Sequence, residues 1–181
     1  MGVAITTLGY AVVLGVISAV DDIIHASQLV TFIAGTVYGR GWPEFTALIF
    51  WLAVLLPLAL LSARDLDTLV LGDETAGALG LRIEAGRLRL LATAAGLAGV
   101  AVAVAGPVGF VGLMAPHAAR RLVGGAHAAV LTTAMMLGGC LVLVADAVAR
   151  TAFAPIDLPV GVLTAIVGAP YLLWLLAGRA R

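Results

Sequence analysis

The chain has 181 residues, of which 62% are hydrophobic and 11% are charged, and its mean hydropathy is +1.15. Because soluble domains are about 45–50% apolar and about 25% charged, this composition excludes an ordinary soluble domain and indicates a membrane protein. The formal net charge is zero, and all ten basic residues are arginine. The single Cys140 excludes a disulfide within the chain.

Apolar runs predict six membrane-spanning helices, because a helix needs about 20 apolar residues to cross the hydrocarbon core. They cover residues 3–20, 44–63, 88–106, 107–123, 128–150 and 158–177. The fourth contains Pro107, Gly109 and Pro116, so we expect it to be short or broken. The charge-free start lacks the basic region of a signal peptide, so we expect the first run to be retained. A short surface helix is expected over 28–34.

The whole chain, 1–181, is therefore expected to form one all-helical membrane domain. Small residues at helical spacing favour close packing of its helices, as in Gly161, Ala165 and Ala169 and in Gly99 and Ala103.

The arginines are distributed unevenly around the predicted spans. If six spans alternate in direction, Arg40 and Arg150 fall on one side of the membrane, and the other eight arginines fall on the opposite side. Arginine is enriched on the cytoplasmic side of membrane proteins. We therefore predict an inner-membrane protein whose termini and one long polar connection, 64–87, are cytoplasmic.

Several stretches resemble the permease subunits of ABC importers for iron-siderophores, haem and cobalamin. They are AGPVGFVGLMAPHAARRLVG at 105–124, ADAVAR at 145–150 and LPVGVLTAIVGAPYLLWLL at 158–176. LGDETAGALGLRI at 71–83 resembles the cytoplasmic coupling segment of that family. The resemblance covers 65–176, and the first 60 residues match only loosely.

This resemblance implies a ten-helix bundle, of which the chain would form the C-terminal part. We expect either a fragment of a longer reading frame or one half of a split permease. The implied partners are an ABC ATPase subunit, a periplasmic or lipoprotein substrate-binding protein, a second permease copy (identical or related) and the lipid bilayer. No nucleic acid is expected, and the cargo stays open between chelated iron, haem and cobalamin.

The resemblance also assigns an ATPase-coupling role to six residues of the polar connection. They are Gly72, Asp73, Glu74, Ala76, Leu79 and Gly80, in a pattern that predicts a short helix, a glycine turn and a second short helix. The alternative is a solvated loop whose acids cap a helix N-terminus.

Asp146 and Arg150 lie four residues apart with the acid first, the favourable order for an ion pair within a helix. By resemblance, Arg150 docks an acidic side chain of the binding protein. The alternative is a structural pair that anchors the helix. Arg40 is a second docking candidate, although an ordinary interfacial arginine is the preferred interpretation there.

We predict structural or pathway roles for Asp146, Pro107, Gly109, Pro116, His117 and Gly161. His117 has no second ligand at metal-binding spacing, so a hydrogen-bonded structural histidine is expected instead of a metal site.

The chain shows no catalytic constellation and no phosphate-binding loop, so it is predicted not to be an enzyme, to bind no cofactor and to rely on ATP hydrolysis by another chain. The competing functions are a non-transporting scaffold or a truncated, inactive permease. An intramembrane enzyme is disfavoured, because the expected partner of Asp146 is Arg150.

Overall fold

The computed structural model describes residues 32–153 and 158–179, together with Thr7, Ala11 and Gly15. The described residues contain helices and turns and no strand. From Trp42 onward the helices are α1 (Trp42–Leu61), α2 (Ala63–Leu69), α3 (Asp73–Ala78), α4 (Ile83–Ala105), α5 (Val111–Val123), α6 (His127–Ala152) and α7 (Val160–Arg179).

Three stretches of the described chain are long and apolar enough to cross a membrane: α1 continued by α2, α4, and α6. The 20 residues of α1 span about 30 Å, the thickness of a hydrocarbon core. These helices confirm the predicted spans 44–63, 88–106 and 128–150, and α7 agrees with 158–177. The predicted span 3–20 and most of the predicted surface helix 28–34 lie outside the described residues.

The predicted span 107–123 is short, as its prolines and glycines predict. Its helix, α5, begins only at Val111, and its 13 residues extend about 20 Å. The backbone turns before it, because Gly106 and Phe110 both have positive φ, 71° and 64°. Pro107 and Gly109 lie in this turn, whereas Pro116 lies inside α5.

The polar connection is shorter than the predicted 64–87. α4 begins at Ile83, so Glu84 and Arg87 belong to the long helix. Glu84 lies in its first turn, where a negative charge is favourable beside the helix N-terminus. We call residues 63–82, which include α2 and α3, the polar segment.

The helices pack as neighbouring pairs, α5 with α6 and α1 with α4, and α7 lies against α5 and α6. Gly96 brings α4 close to α1, since a Cβ atom there would lie 3.3 Å from the Leu55 methyl carbons. Gly99 and Ala103 are exposed, so among the described residues they do not form the predicted close contact.

A short segment before α1 lies between the end of α4 and the start of α7. The backbone N–H of Thr36 donates to the carbonyl of Ala105 (2.8 Å), and that of Gly161 donates to the carbonyl of Gly35 (3.0 Å). A Cβ atom at Gly161 would collide with the backbone carbonyl of Ala34. A glycine at position 161 therefore allows α7 to meet this segment.

Candidate functional site

Polar and charged side chains gather at two places, at opposite ends of α1 and α6. One is the polar segment, which follows α1 and contacts the start of α6. The other lies where α1 begins and α6 ends. We call it the arginine mouth, and it comprises Tyr38, Arg40, Asp146 and Arg150.

Arg150 is held in the arginine mouth by two neighbours. Its Nε donates to Asp146 Oδ2 at 2.7 Å, and its guanidinium carbon lies 5.3 Å from the centre of the Tyr38 ring. The Arg150 side chain is still 48% exposed. Since Asp146 takes only the Nε–H, the outer N–H groups of Arg150 have no side-chain partner among the described residues. These N–H groups can still donate hydrogen bonds.

Arg40 faces the same space as Arg150. Both arginines and Asp146 line the opening of a groove of about 990 Å³, whose walls come from α1, α4, α5 and α6. Arg40 forms no ion pair with any described residue. The nearby Glu44 accepts a hydrogen bond from the Gly41 N–H (2.9 Å) at the start of α1.

The groove beyond the arginine mouth is mostly apolar. Pro116 lines it, with residues such as Leu48, Ala134 and Val142. Such a surface suits an apolar helix or ligand, while the two guanidinium groups at its opening favour a negative partner. The structure thus brings Arg40, Asp146, Arg150 and Pro116 to one groove.

At the other end, three aspartates tie the polar segment to the long helices. The pairs are Asp65 with Arg89, Asp67 with His127, and Asp73 with Arg87. Arg87 donates to both carboxylate oxygens of Asp73, at 2.9 and 3.1 Å. Asp73 lies in the first turn of α3, and no side chain caps this helix at Gly72. The Asp73 carboxylate bonds to Arg87 of α4 and does not cap α3.

The six predicted coupling residues form one short helix, α3, with a glycine on each side, and not the two short helices expected for them; the short helix α2 precedes them. Gly72 and Gly80 bound α3 with φ of 98° and 88°, which non-glycine residues adopt rarely. Ala76 is fully buried, and Glu74 is exposed. Leu79 is 66% exposed, so it is available to a partner.

Two further apolar side chains on the polar segment were missed by the sequence prediction. Val70 and Leu71 are 73% and 61% exposed, in the turn between α2 and α3. Their position between a charged helix and Gly72 is the signal that points to them. Exposed apolar side chains at such a position can contact another protein or the membrane.

Tyr38 and His127 were also missed. Tyr38 stands two residues before Arg40, but only the fold brings its ring to Arg150. His127 begins α6 and bonds to Asp67, 60 residues earlier in the chain, so local sequence carries no signal for that pair.

The hydrogen bond predicted for His117 is not formed at Nε2 by any described residue. That atom is buried, and the His117 ring packs edge-on against Tyr171 of α7, with 6.2 Å between ring centres. The stack continues to Trp174 and ends at Arg121, whose guanidinium carbon is 5.5 Å from the indole. His117 thus joins α5 to α7.

The remaining predicted residues surround the segment before α1. Pro107 lies there against Gly35, where a Cβ atom would be 2.5 Å from the proline carbonyl oxygen. Gly109 lies in the same turn as Pro107, and Gly161 contacts the segment before α1 from α7. No group of three or more His, Cys, Asp and Glu residues in the described part of the chain is placed to hold a metal ion.

Long apolar helices with charges gathered at their ends define a polytopic helical membrane protein. The model of the FecCD transport family matches residues 1–178, and the chain belongs to this family.

The relatives it resembles are permease proteins. It is 44% identical over 154 residues to the "Probable siderophore transport system permease protein YfhA" of Bacillus subtilis, covering 85% of this chain and 45% of that protein. It is 42% identical over 178 residues to the "Hemin transport system permease protein HmuU" of Yersinia pestis, covering 97% and 52%. The chain thus spans about half the length of these relatives.

A solved structure shares the fold. Its title reads "An inward-facing conformation of a putative metal-chelate type ABC transporter". The TM-score is 0.87 at 28% identity, and the match covers 98% of this chain and 57% of that chain.

Proposed function

We propose that this chain is part of the membrane-spanning permease of an ATP-driven ABC importer that moves chelated iron, haem or cobalamin across the bacterial inner membrane. The observation that carries the proposal is the placement of the two charged sites at opposite ends of α1 and α6, in a chain of the FecCD family. An importer needs such an arrangement, because its binding protein and its ATPase act on opposite sides of the membrane.

The polar segment is the proposed contact for the ATPase subunit, which hydrolyses ATP on behalf of this non-enzymatic chain. Val70, Leu71 and Leu79 present apolar side chains there, and burying each of them against a partner is worth about 1.5–3 kcal/mol. The ion pair between Asp73 and Arg87 connects α3 to the start of α4. A displacement of α3 by the ATPase would therefore be transmitted to a long helix. This end, with the C-terminus, is cytoplasmic in the proposal.

The arginine mouth is the proposed contact for the substrate-binding protein. Arg150 is oriented by Asp146 and Tyr38 and remains half exposed, and Arg40 adds a second positive charge at the same opening. Opposite charges across such a contact direct docking and set its orientation. The chain itself binds no cofactor in this proposal, and a second permease copy completes the pathway.

The test is transport by the assembled importer. The permease containing this chain, its ATPase and its binding protein are reconstituted in proteoliposomes, and uptake of a ferric siderophore, haem and cobalamin is measured with and without ATP. The proposal expects ATP-dependent uptake of at least one of them. ATPase and binding protein that do not associate with the permease would support the scaffold, and association without uptake of any cargo would support the inactive permease.

A further inference from the structure

One helix connects the two charged sites. α6 begins at His127, beside the polar segment, and carries Arg150 in its last turn at the arginine mouth. With a rise of 1.5 Å per residue, these two residues lie about 35 Å apart along the helix axis. α6 is one continuous helix of 26 residues without proline. A displacement of its first turn is therefore carried to its last turn, as expected of a rigid element.

The first turn of α6 is bound to α2 through a single carboxylate oxygen. Asp67 Oδ1 accepts a hydrogen bond from the backbone N–H of His127 (3.1 Å) and lies 2.5 Å from its Nδ1. Since an ionised carboxylate only accepts hydrogen bonds, Nδ1 carries the proton in this contact. The His127 side chain is 13% exposed. The backbone N–H is one of those that a helix start leaves without a partner inside the helix, so Asp67 caps α6 from another helix.

Asp65 provides an internal comparison. It lies on α2 two residues before Asp67, but it pairs with Arg89 and so ties α2 to α4. The Arg89 side chain is long and half exposed, and it binds through one terminal nitrogen. The two aspartates of α2 thus connect it to different helices, and only Asp67 connects it to the helix that carries Arg150.

We propose that Asp67 and His127 are positioning residues that transmit movement of α2 to α6, and through α6 to Arg150 at the arginine mouth. This inference rests on the proposed function, in which the ATPase moves the polar segment. When α2 moves, the double bond to His127 carries the start of α6 with it. Arg150 then changes its position relative to Tyr38, which belongs to the segment before α1 and not to α6.

The test measures how strongly nucleotide binding to the ATPase changes the affinity of the binding protein for the arginine mouth. In the assembled importer, the dissociation constant of the binding protein is determined with and without a non-hydrolysable ATP analogue, and the ratio of the two constants measures the coupling. Asp67→Ala removes both bonds. We expect the ratio of the two dissociation constants to move closer to one by a factor of about five or more. His127→Ala keeps the backbone bond and should have a smaller effect in the same direction.

Asp65→Ala is the matched control, with the same substitution on the same helix. It should leave the ratio within about twofold of that of the unmodified importer. Equal effects of Asp65→Ala and Asp67→Ala, or an unchanged ratio in Asp67→Ala, would overturn the proposal. If Asp67→Ala fails to assemble, His127→Ala decides by the same measurement.

The outcome also separates this inference from the proposed function. An unmodified importer whose docking does not respond to nucleotide would contradict ATP-driven coupling itself. A response that persists in Asp67→Ala and His127→Ala would leave the importer intact and exclude only the role of this pair.

Discussion

Arg150 Nε donates to Asp146 Oδ2 across one turn of α6, and the same guanidinium group lies over the ring of Tyr38. The pair therefore does not neutralise Arg150 in the interior of the bundle. It orients a half-exposed arginine at the opening of an apolar groove. This geometry is compatible with both interpretations of the sequence: Arg150 can form a structural pair with Asp146 and can also dock a partner.

Replacement of Arg150 separates its contribution to docking of the binding protein from its contribution to the stability of the chain. Arg150→Glu should weaken docking of the binding protein by about 2–5 kcal/mol if the contact is desolvated, whereas an exposed helical pair is worth only about 0.3–0.5 kcal/mol. Docking affinity is measured by titration, and thermal stability is measured on the same preparation. An acid-to-arginine change on the binding protein should restore part of the affinity. A loss of stability with unchanged docking would leave Arg150 as an anchor only.

The exposed apolar side chains of the polar segment predict a second effect. Leu79→Ser should weaken ATPase association by about 1.5–3 kcal/mol, because a buried leucine is lost from the contact. Co-purification and a titration of the two subunits measure it. Leu122→Ser is the matched control, since Leu122 is an equally exposed leucine in the last turn of α5, outside the polar segment. Similar losses for the two variants would argue against a specific contact at Leu79.

The glycine at the start of α7 predicts a difference in stability. Gly161→Ala forces a Cβ atom into the Ala34 carbonyl, so the chain must shift there, and we expect a loss of about 1–3 kcal/mol. Gly99→Ala meets open space in the middle of α4 and should be neutral or stabilising by up to about 1 kcal/mol. Thermal unfolding in detergent compares the two. If Gly161→Ala is as stable as Gly99→Ala, the close approach of α7 to residue 34 is wrong.

The distribution of arginines predicts the orientation of the chain. Reporters fused after Arg181 or inserted within 72–84 should be cytoplasmic, and reporters near Gly41 or Pro155 should be external. Activity of an alkaline phosphatase and fluorescence of a green fluorescent protein at each position measure this. An external reporter at residue 76 would remove the coupling role of the polar segment.

The sequence predicts the long helices well, because length and hydropathy alone define them. It predicts a short span at 107–123 but not where the helix begins, because positive φ at Gly106 and Phe110 ends one helix and delays the next. It fails at the start of α4, since charged residues such as Glu84 and Arg87 resemble a loop in a hydropathy profile and yet are good helix formers.

The site was predictable where its residues are close in the chain. Asp146 and Arg150 share one helix, and the six residues predicted for coupling form one local unit, so spacing and resemblance are sufficient to single them out. The contacts of Tyr38, Asp67 and His127 join residues far apart in the chain and depend on how the helices pack. A single sequence contains no local pattern for such pairs.

The central claim is that one chain contacts the ATPase at one end and the binding protein at the other. Site-specific cross-linking of the assembled importer tests it most directly, with Leu79→Cys or Arg150→Cys in a Cys140→Ser background that removes the exposed native thiol. We predict that residue 79 cross-links to the ATPase alone and residue 150 to the binding protein alone. Cross-links of both positions to the same subunit, or of neither position to any subunit, would contradict the account.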